Sequence, residues 1–479
     1  MKRIAIVGGG IAGLAAAYEL ERARKRGVEI DWHLYEAGDR LGGLVSTTRI
    51  DTPAGRFVIE DGPDGWVTDK PWANDLALEL GLADQIIPCN EAQRRTLVLI
   101  DGTLQPMPAR MRMMVPEDLA ALEGSPLFTD SARAAYASEL ASAAALIAAA
   151  PRTDESVASF VLRHFGQEVL DKIAAPLLSG VFGGDVHRLS VRAVMPAFVA
   201  MEQQHGSLIA ALQSKAADRG PRPPQPAFTT LRDGMGTLAE AIVARLPAER
   251  IHLHRTALSL KRERGQWCLR VATEVKNGKS KRHFHHVLIA APVDAARTLL
   301  QPLDAAAAAL IPTDASSAVL VAMAFPAEQA QNIHAPAGFG FLVPHGNTQT
   351  TLLASTFVEQ KYPCRVPPGA RILRAFFGGT AADALTTQPD AAIAAAAHTQ
   401  LATILGPLPA LDAALTTVRR WPRSLPQYEV GHLERIAQLD ERIAQLGGLS
   451  LLGNGYRGVG VPDLIRDARK AARELCVTS

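Results

Sequence analysis

Gly8-Gly9-Gly10-Ile11-Ala12-Gly13 constrains this chain more than any other segment. It follows a short apolar run, Ile4-Ala5-Ile6-Val7, and opens a helix-like stretch, Leu14-Ala15-Ala16-Ala17-Tyr18. A second apolar run, Trp32-His33-Leu34-Tyr35, ends in Glu36. Strand, glycine turn, helix, strand and acid in that order describe a βαβ unit that holds a dinucleotide. Gly8 lets the chain turn off the strand, Gly10 removes the side chain that would block a pyrophosphate, and Gly13 lets the helix pack close to the sheet. The amides at Ile11, Ala12 and Gly13 then face the phosphates with their partial positive charge. Glu36 is placed to accept hydrogen bonds from ribose hydroxyls. The plain alternative is a glycine-rich turn with no ligand.

The next segment selects the dinucleotide. Gly38-Asp39-Arg40-Leu41-Gly42-Gly43 follows Glu36 directly. It resembles the second glycine signature of large flavin-dependent oxidases and desaturases, in which Arg40, Gly42 and Gly43 lie along FAD. NAD dehydrogenases have no matching signature, so the resemblance implies FAD held without a covalent bond. The alternative for Arg40 is a surface salt bridge, which is common and weak.

At 479 residues the chain is long enough for two or three domains and a full core. A net charge of +2 gives no basic field for nucleic acid. Cys89, Cys268, Cys364 and Cys476 are far apart and form no CxxC, so no metal site is expected and reduced thiols are. The chain opens at once on the nucleotide strand, so no cleavable leader is expected. No run reaches the roughly 18 apolar residues of a membrane span, and alanine-rich Leu140–Ala150 reads as a packed helix. A cytoplasmic protein, or one resting on the inner face of the cell membrane, is expected.

Further along, 94–100 reads as a strand turned by Asp101-Gly102. From Pro116 to Leu212 apolar residues recur three and four apart, as at Val157, Phe160, Val161 and Phe165. Proline-rich 218–226 is a loop, and Asn277-Gly278 is a hairpin signal. Strand-like runs at 251–253, 266–271, 286–290, 318–325, 350–357 and 372–377 suggest a mostly antiparallel sheet with helices on one side. The last segment, 449–475, reads as strand, glycine loop and helix, and closes the first domain, making it discontinuous.

Several segments together resemble the oxygen-dependent porphyrinogen oxidase family of haem biosynthesis. They are Glu60-Asp61-Gly62-Pro63-Asp64-Gly65-Trp66, the loop Pro176–Asp185 with Leu189-Ser190, and the stretch Glu202–Ile209. Near the C-terminus they are Trp421–Tyr428, Gly431-His432-Leu433 and Gly453–Asp463. The likeness spans nearly the whole chain. It implies an α/β fold with an α+β substrate part: a discontinuous Rossmann-like FAD domain (1–87, 223–292 and 426–479), a helical membrane-facing domain (88–222) and an antiparallel-sheet substrate domain (293–425). It also implies a reaction, the removal of six electrons from protoporphyrinogen IX in three two-electron steps, with oxygen reduced to hydrogen peroxide. Coproporphyrinogen III is the near alternative, with four carboxylates against two. An amine oxidase, a carotenoid desaturase and a porphyrin-binding non-enzyme are more distant. The partners implied are the porphyrinogen and oxygen, a membrane face, a ferrochelatase for hand-off and a second copy in a homodimer.

The resemblance places main-chain flavin contacts at Gly453, Val459, Gly460 and Val461. It places another at Ala257, where the family usually has valine and a backbone contact survives the change. Arg95 is the candidate for a substrate propionate, since arginine pairs well with carboxylates, with Arg94 nearly equivalent and a solvated surface charge the alternative. Lys70 is a weaker candidate. Gly180 is placed against the macrocycle, or else caps a helix. His205 reads as part of a helix cap, and His283, His285 and His286 as surface. Segment 108–115 mixes Arg110 and Arg112 with Met111, Met113 and Met114, and reads as a membrane contact, a channel mouth or core. Flavin chemistry requires no acid–base dyad, so no catalytic side chain is nominated.

Overall fold

A computed structural model describes residues 1–219, 225–272, 278–344 and 346–477. Its organising element is a five-stranded parallel sheet in the order Ile251–His252, Ile30–Tyr35, Lys2–Val7, His286–Ile289, Leu449–Leu451. Both faces are covered, which is why its strands read as continuous apolar runs. Helices Ile11–Lys25 and Val461–Val477 pack on one face. The other face carries a three-stranded antiparallel sheet, Ala257–Glu263, Gln266–Ala272 and Lys279–Phe284, with helices Val293–Leu300 and His432–Leu446. The sheet thus collects strands from three distant stretches of chain. The strand-like runs at 251–253 and 286–290 belong to this parallel layer, pairing with Leu34, Tyr35 and Ile4–Val7.

A second sheet has seven strands, ordered Thr416–Pro426, Ala315–Phe325, Arg371–Gly378, Ala354–Phe357, Gly340–Leu342, Thr96–Ile100, Thr103–Pro106. All pairs are antiparallel except Gly340–Leu342 with Thr96–Ile100. Helix Asp390–Leu405 covers one face. The other meets the hairpin Thr47–Thr52/Gly55–Glu60 through Phe57, Ile59, Leu320 and Ile372. Segment 88–222 gives two strands to this sheet before its helices begin, the first of them, Thr96–Ile100, within the 94–100 run expected as a strand.

Those helices share one core, in which Val157, Phe160, Val161 and Phe165 are all buried, as their spacing predicts. Residues 140–150 form two short helices, Asp130–Ala141 ending there and Ala143–Ala149, with Leu146 turned inward. The tight hairpin Met111–Arg112/Val115–Pro116 turns its methionines into this core: Met114 is fully buried, and Met111 and Met113 pack against it. The membrane reading of that segment is therefore corrected, since its apolar side chains already have a partner. Among the described residues no helix is long and apolar enough to cross a membrane. Part of the proline-rich loop (220–224) and Asn277 lie outside the described residues, although the strands flanking Asn277 pair as a hairpin requires.

Candidate active site

The carboxyl ends of the parallel strands converge on one crevice, where open α/β sheets bind ligands. Val7 leads into Gly8, whose φ of +107° suits glycine and whose pro-Cβ position lies 2.5 Å from Ala290 O. A Cβ on Gly13 would collide with Gly8 O, so the helix sits as close to its strand as backbones allow. Gly10 differs. It is the N-cap of helix Ile11–Lys25 in ordinary extended backbone (φ −70°, ψ 178°), and an added Cβ meets nothing nearer than Gly43 Cα at 4.0 Å. Its missing side chain leaves room for something other than protein.

The second glycine turn leans on the first. Gly42 N donates to Gly9 O at 2.9 Å, and Gly10 and Gly42 form a bridge. Glu36 pins both turns, one carboxylate oxygen accepting Gly9 N at 2.6 Å and the other Gly38 N at 2.7 Å. Each oxygen keeps a lone pair for a ribose hydroxyl. Arg40 makes no ion pair among the described residues. It donates to Gly43 O at 2.7 Å and lies 5.7 Å from the Trp421 ring. Ala257 opens its strand just beyond Arg255, whose N donates to Glu36 O at 2.8 Å, so this backbone borders the acid.

The C-terminal loop closes the crevice. Leu452 N donates to Ile289 O at 2.9 Å, and at Gly453 a Cβ would point into open space. Tyr428 OH donates to Asn454 O at 2.7 Å and accepts from Gly458 N at 3.0 Å. His432 stacks on Tyr428 with ring centroids 3.9 Å apart and donates from Nε2 to Tyr456 O at 2.8 Å. Burial keeps His432 neutral by pushing it down to about 4. Val459 and Gly460 then lead into the helix that starts at Val461.

Segment 60–70 spans the gap between the second glycine turn and this loop. Asp61 N donates to Ser46 O at 2.9 Å, and Gly62 packs directly on Leu44 O. Lys70, offered above for a substrate carboxylate, is instead paired with Asp463 at 2.6 Å. The seven-stranded sheet grips the same segment: Trp421 Nε1 donates to Asp61 O at 2.7 Å, and Arg374 Nη2 to Gly62 O at 2.6 Å. Sequence reasoning gave no role to Arg374. Its signal was a charge at the centre of an apolar strand, Ile372-Leu373-Arg374-Ala375-Phe376-Phe377.

Arg94 and Arg95 differ once folded. Arg94 is paired with Glu91 at 3.1 Å, whereas the exposed Arg95 side chain has no partner among the described residues. Arg95 O accepts Phe339 N at 2.8 Å, fixing the arginine at the rim of the sheet. Gly180 lies on helix Ala175–Phe182, which contacts strands Gly340–Leu342 and Arg371–Gly378. A Cβ there meets nothing within 4 Å, and Val181 beside it is 55% exposed. The cap of that helix is Gly183, with φ +63°, so the capping alternative for Gly180 does not hold. His205 ends its helix, as expected. His286 is not a surface residue. It is half-buried against Ser450 and pushed down to about 4 by burial.

A cavity of about 730 Å³ lies elsewhere, between 171–189 and the sheet rim, with Asp171, Asp185, Arg188, Asp314 and Glu429 in its wall. Its wall mixes these charges with apolar Ala175, Val343, Leu352 and Leu353, and it touches neither the glycine cradle nor Arg95. Strand pairing also brings Glu263, Cys268 and His283 together, with ligating atoms within 4.8 Å, a grouping that linear spacing hid.

The sequence profile of the flavin containing amine oxidoreductases matches residues 11–476. The chain belongs to that family. It is 32% identical to coproporphyrinogen III oxidase of Bacillus subtilis, over 98% of this chain and 97% of that one. It is 29% identical to protoporphyrinogen oxidase 1 of Arabidopsis thaliana, over 98% and 87%. A crystal structure assigned as a protoporphyrinogen oxidase from Exiguobacterium superposes with TM-score 0.83 and 30% identity, covering 100% and 99%. Putrescine oxidase, at 16% identity and TM-score 0.67, shares the fold. The family cofactor is a flavin, and the open cradle at Gly10 and Gly453 fits FAD.

Proposed function

We propose that this chain is an FAD-dependent porphyrinogen oxidase that converts protoporphyrinogen IX and three O2 to protoporphyrin IX and three H2O2. The observation that carries the reading is the closed ring of structure around the Gly10 crevice, made from both glycine turns, segment 60–70 and the C-terminal loop. Bound FAD supplies hydride acceptance and electron delivery to oxygen. The chain's part is to hold and orient. Helix amides at Ile11–Gly13 take the pyrophosphate, Glu36 the ribose, and Arg40 stiffens the second turn. The macrocycle lies between Gly180 and the sheet face that carries Phe376, with Arg95 taking a propionate at the rim. Lys70 serves the wall through Asp463.

Coproporphyrinogen III is the second reading, favoured by relatives at 30% identity or more from Bacillus subtilis and Propionibacterium freudenreichii. The three-part division of the chain, oxygen as acceptor, placement at the inner face of the cell membrane, hand-off to a ferrochelatase and a homodimer belong to the same proposal. Anaerobic mixing of the FAD-loaded protein with each porphyrinogen tests it. Flavin bleaching is expected with both, faster with the true substrate. No bleaching with either leaves a porphyrin-binding protein and refutes the oxidase.

A further inference from the structure

Segment 61–65 is held from the sheet side by charges, buried at Arg374 and Arg365 and partly exposed at Arg419, that none of the flavin-binding residues includes. Arg374, 2% exposed, donates to Gly62 O and lies 3.4 Å from Asp64. Lys361 Nζ binds both Asp64 oxygens, at 2.9 and 2.8 Å. Arg365, fully buried, pairs with Glu60 at 2.6 Å and donates to Thr230 Oγ1 and Leu231 O. Arg419 lies 3.0 Å from Asp61, whose carboxylate also takes the Ser46 and Thr48 hydroxyls. Burial pushes the Asp64 carboxyl up, but Lys361 and Arg374 outweigh it and bring it down to about 2, so it is ionised at neutral pH.

Three carboxylates, Glu60, Asp61 and Asp64, thus face four cations, Lys361, Arg365, Arg374 and Arg419. One positive charge is left over. Arg374 is the natural bearer. It is fully buried, its nearest carboxylate is already bidentate to Lys361, and its Nε has no hydrogen-bond partner among the described residues. A buried, incompletely matched charge is costly unless something negative completes it. The segment it holds lies directly beyond Gly43, through the Ser46 and Leu44 contacts, and so forms a wall of the flavin crevice.

We propose that Arg374 sets the electrostatic poise of the bound flavin: its surplus charge favours the anionic reduced ring over the neutral oxidised one. The inference rests on the flavin reading above. Two electrons and one proton added to the oxidised ring leave one net negative charge. A fixed cation in a water-poor site stabilises that charge without reorganising. Arg374 is a positioning residue here, acting from beneath Gly62.

The test is the midpoint potential of FAD in the holoenzyme, read by dye-coupled reductive titration with dithionite as electron source. Arg374→Gln and Lys361→Gln each remove one positive charge and are expected to lower the potential. Asp64→Asn removes a negative charge and is expected to raise it. Each change corresponds to roughly tenfold in the relative affinity for reduced and oxidised flavin, about 30 mV for a two-electron couple. Arg374→Lys keeps the charge and most of the potential. A purely structural role moves the Arg374 and Asp64 variants in the same direction or not at all, and either result overturns the proposal. If Arg374→Gln does not fold, Lys361→Gln and Asp64→Asn carry the same opposed pair. Wild-type protein that takes up no FAD overturns the functional reading itself. Loaded protein with unshifted potentials overturns only this inference.

Discussion

Gly10→Ala separates what the fold needs from what the ligand needs. A methyl group at this position has its nearest protein atom at 4.0 Å, an ordinary contact, and the backbone there (φ −70°, ψ 178°) suits any residue. Replacing a glycine N-cap with alanine costs up to about 1 kcal/mol. Lower entropy in the unfolded chain returns about 0.4–1 kcal/mol. Net stability is therefore expected to change by less than about 1 kcal/mol on these two terms. The ligand meets a different surface, because the methyl stands before the helix amides that receive the pyrophosphate. Each charge-assisted hydrogen bond lost is worth about 1.5–3 kcal/mol, which is roughly 10- to 150-fold in Kd. Urea melts and calorimetric titration of the apoprotein with FAD measure the two quantities separately. Gly13→Ala is the control of opposite kind: its methyl collides with Gly8 O, so it destabilises by about 1–3 kcal/mol before any ligand is added. Gly10→Ala binding FAD as tightly as wild type would refute the placement of the pyrophosphate.

The helical unit carries its own pH dependence. His164 is buried between Glu139 and Glu202, 3.1 Å from each, and since a neutral imidazole has one N–H, two facing carboxylates call for the doubly protonated ring. Burial pushes His164 down, but the two carboxylates outweigh it and raise it above its ordinary value. Its contribution is therefore full below about pH 6.5, the unfolded value, and is lost as pH rises through the higher folded value. Urea midpoints should fall across that window, and His164→Asn should cost about 3–5 kcal/mol by leaving buried charge unpaired and flatten the slope; a wild-type midpoint independent of pH above 6.5 would count against it. Arg95→Ala should raise KM for the porphyrinogen roughly tenfold, the loss of one charged hydrogen bond, with thermal stability unchanged, while Arg94→Ala, already paired with Glu91, has a smaller effect; equal effects would remove Arg95 as the carboxylate ligand. Gly180→Ala adds a Cβ that meets no protein atom within 4 Å, so it should fold normally yet slow flavin bleaching by porphyrinogen; unchanged bleaching would place the macrocycle elsewhere.

The nucleotide unit was legible in the sequence because its determinants are local. Gly8, Gly10, Gly13 and Glu36 act through backbone turns and short chain separations, and the structure puts their backbones in the expected turn. The run Val157–Phe165 was legible for the same reason, a periodicity within one helix. His286 was misplaced because its burial comes from Ser450, 164 residues away. The methionines of 111–114 offered apolar surface without saying which surface covers it. Arg374 shows the limit most clearly. A lone arginine in an apolar strand announces a partner but cannot name it, and Gly62 is 312 residues distant. Sequence alone determined that a dinucleotide turn exists and what chemistry its glycines permit, since those constraints are steric and local. Only the tertiary structure decided which charges stand behind the crevice wall, because burial and ion pairing between distant strands arise when the sheet docks on the hairpin beneath it.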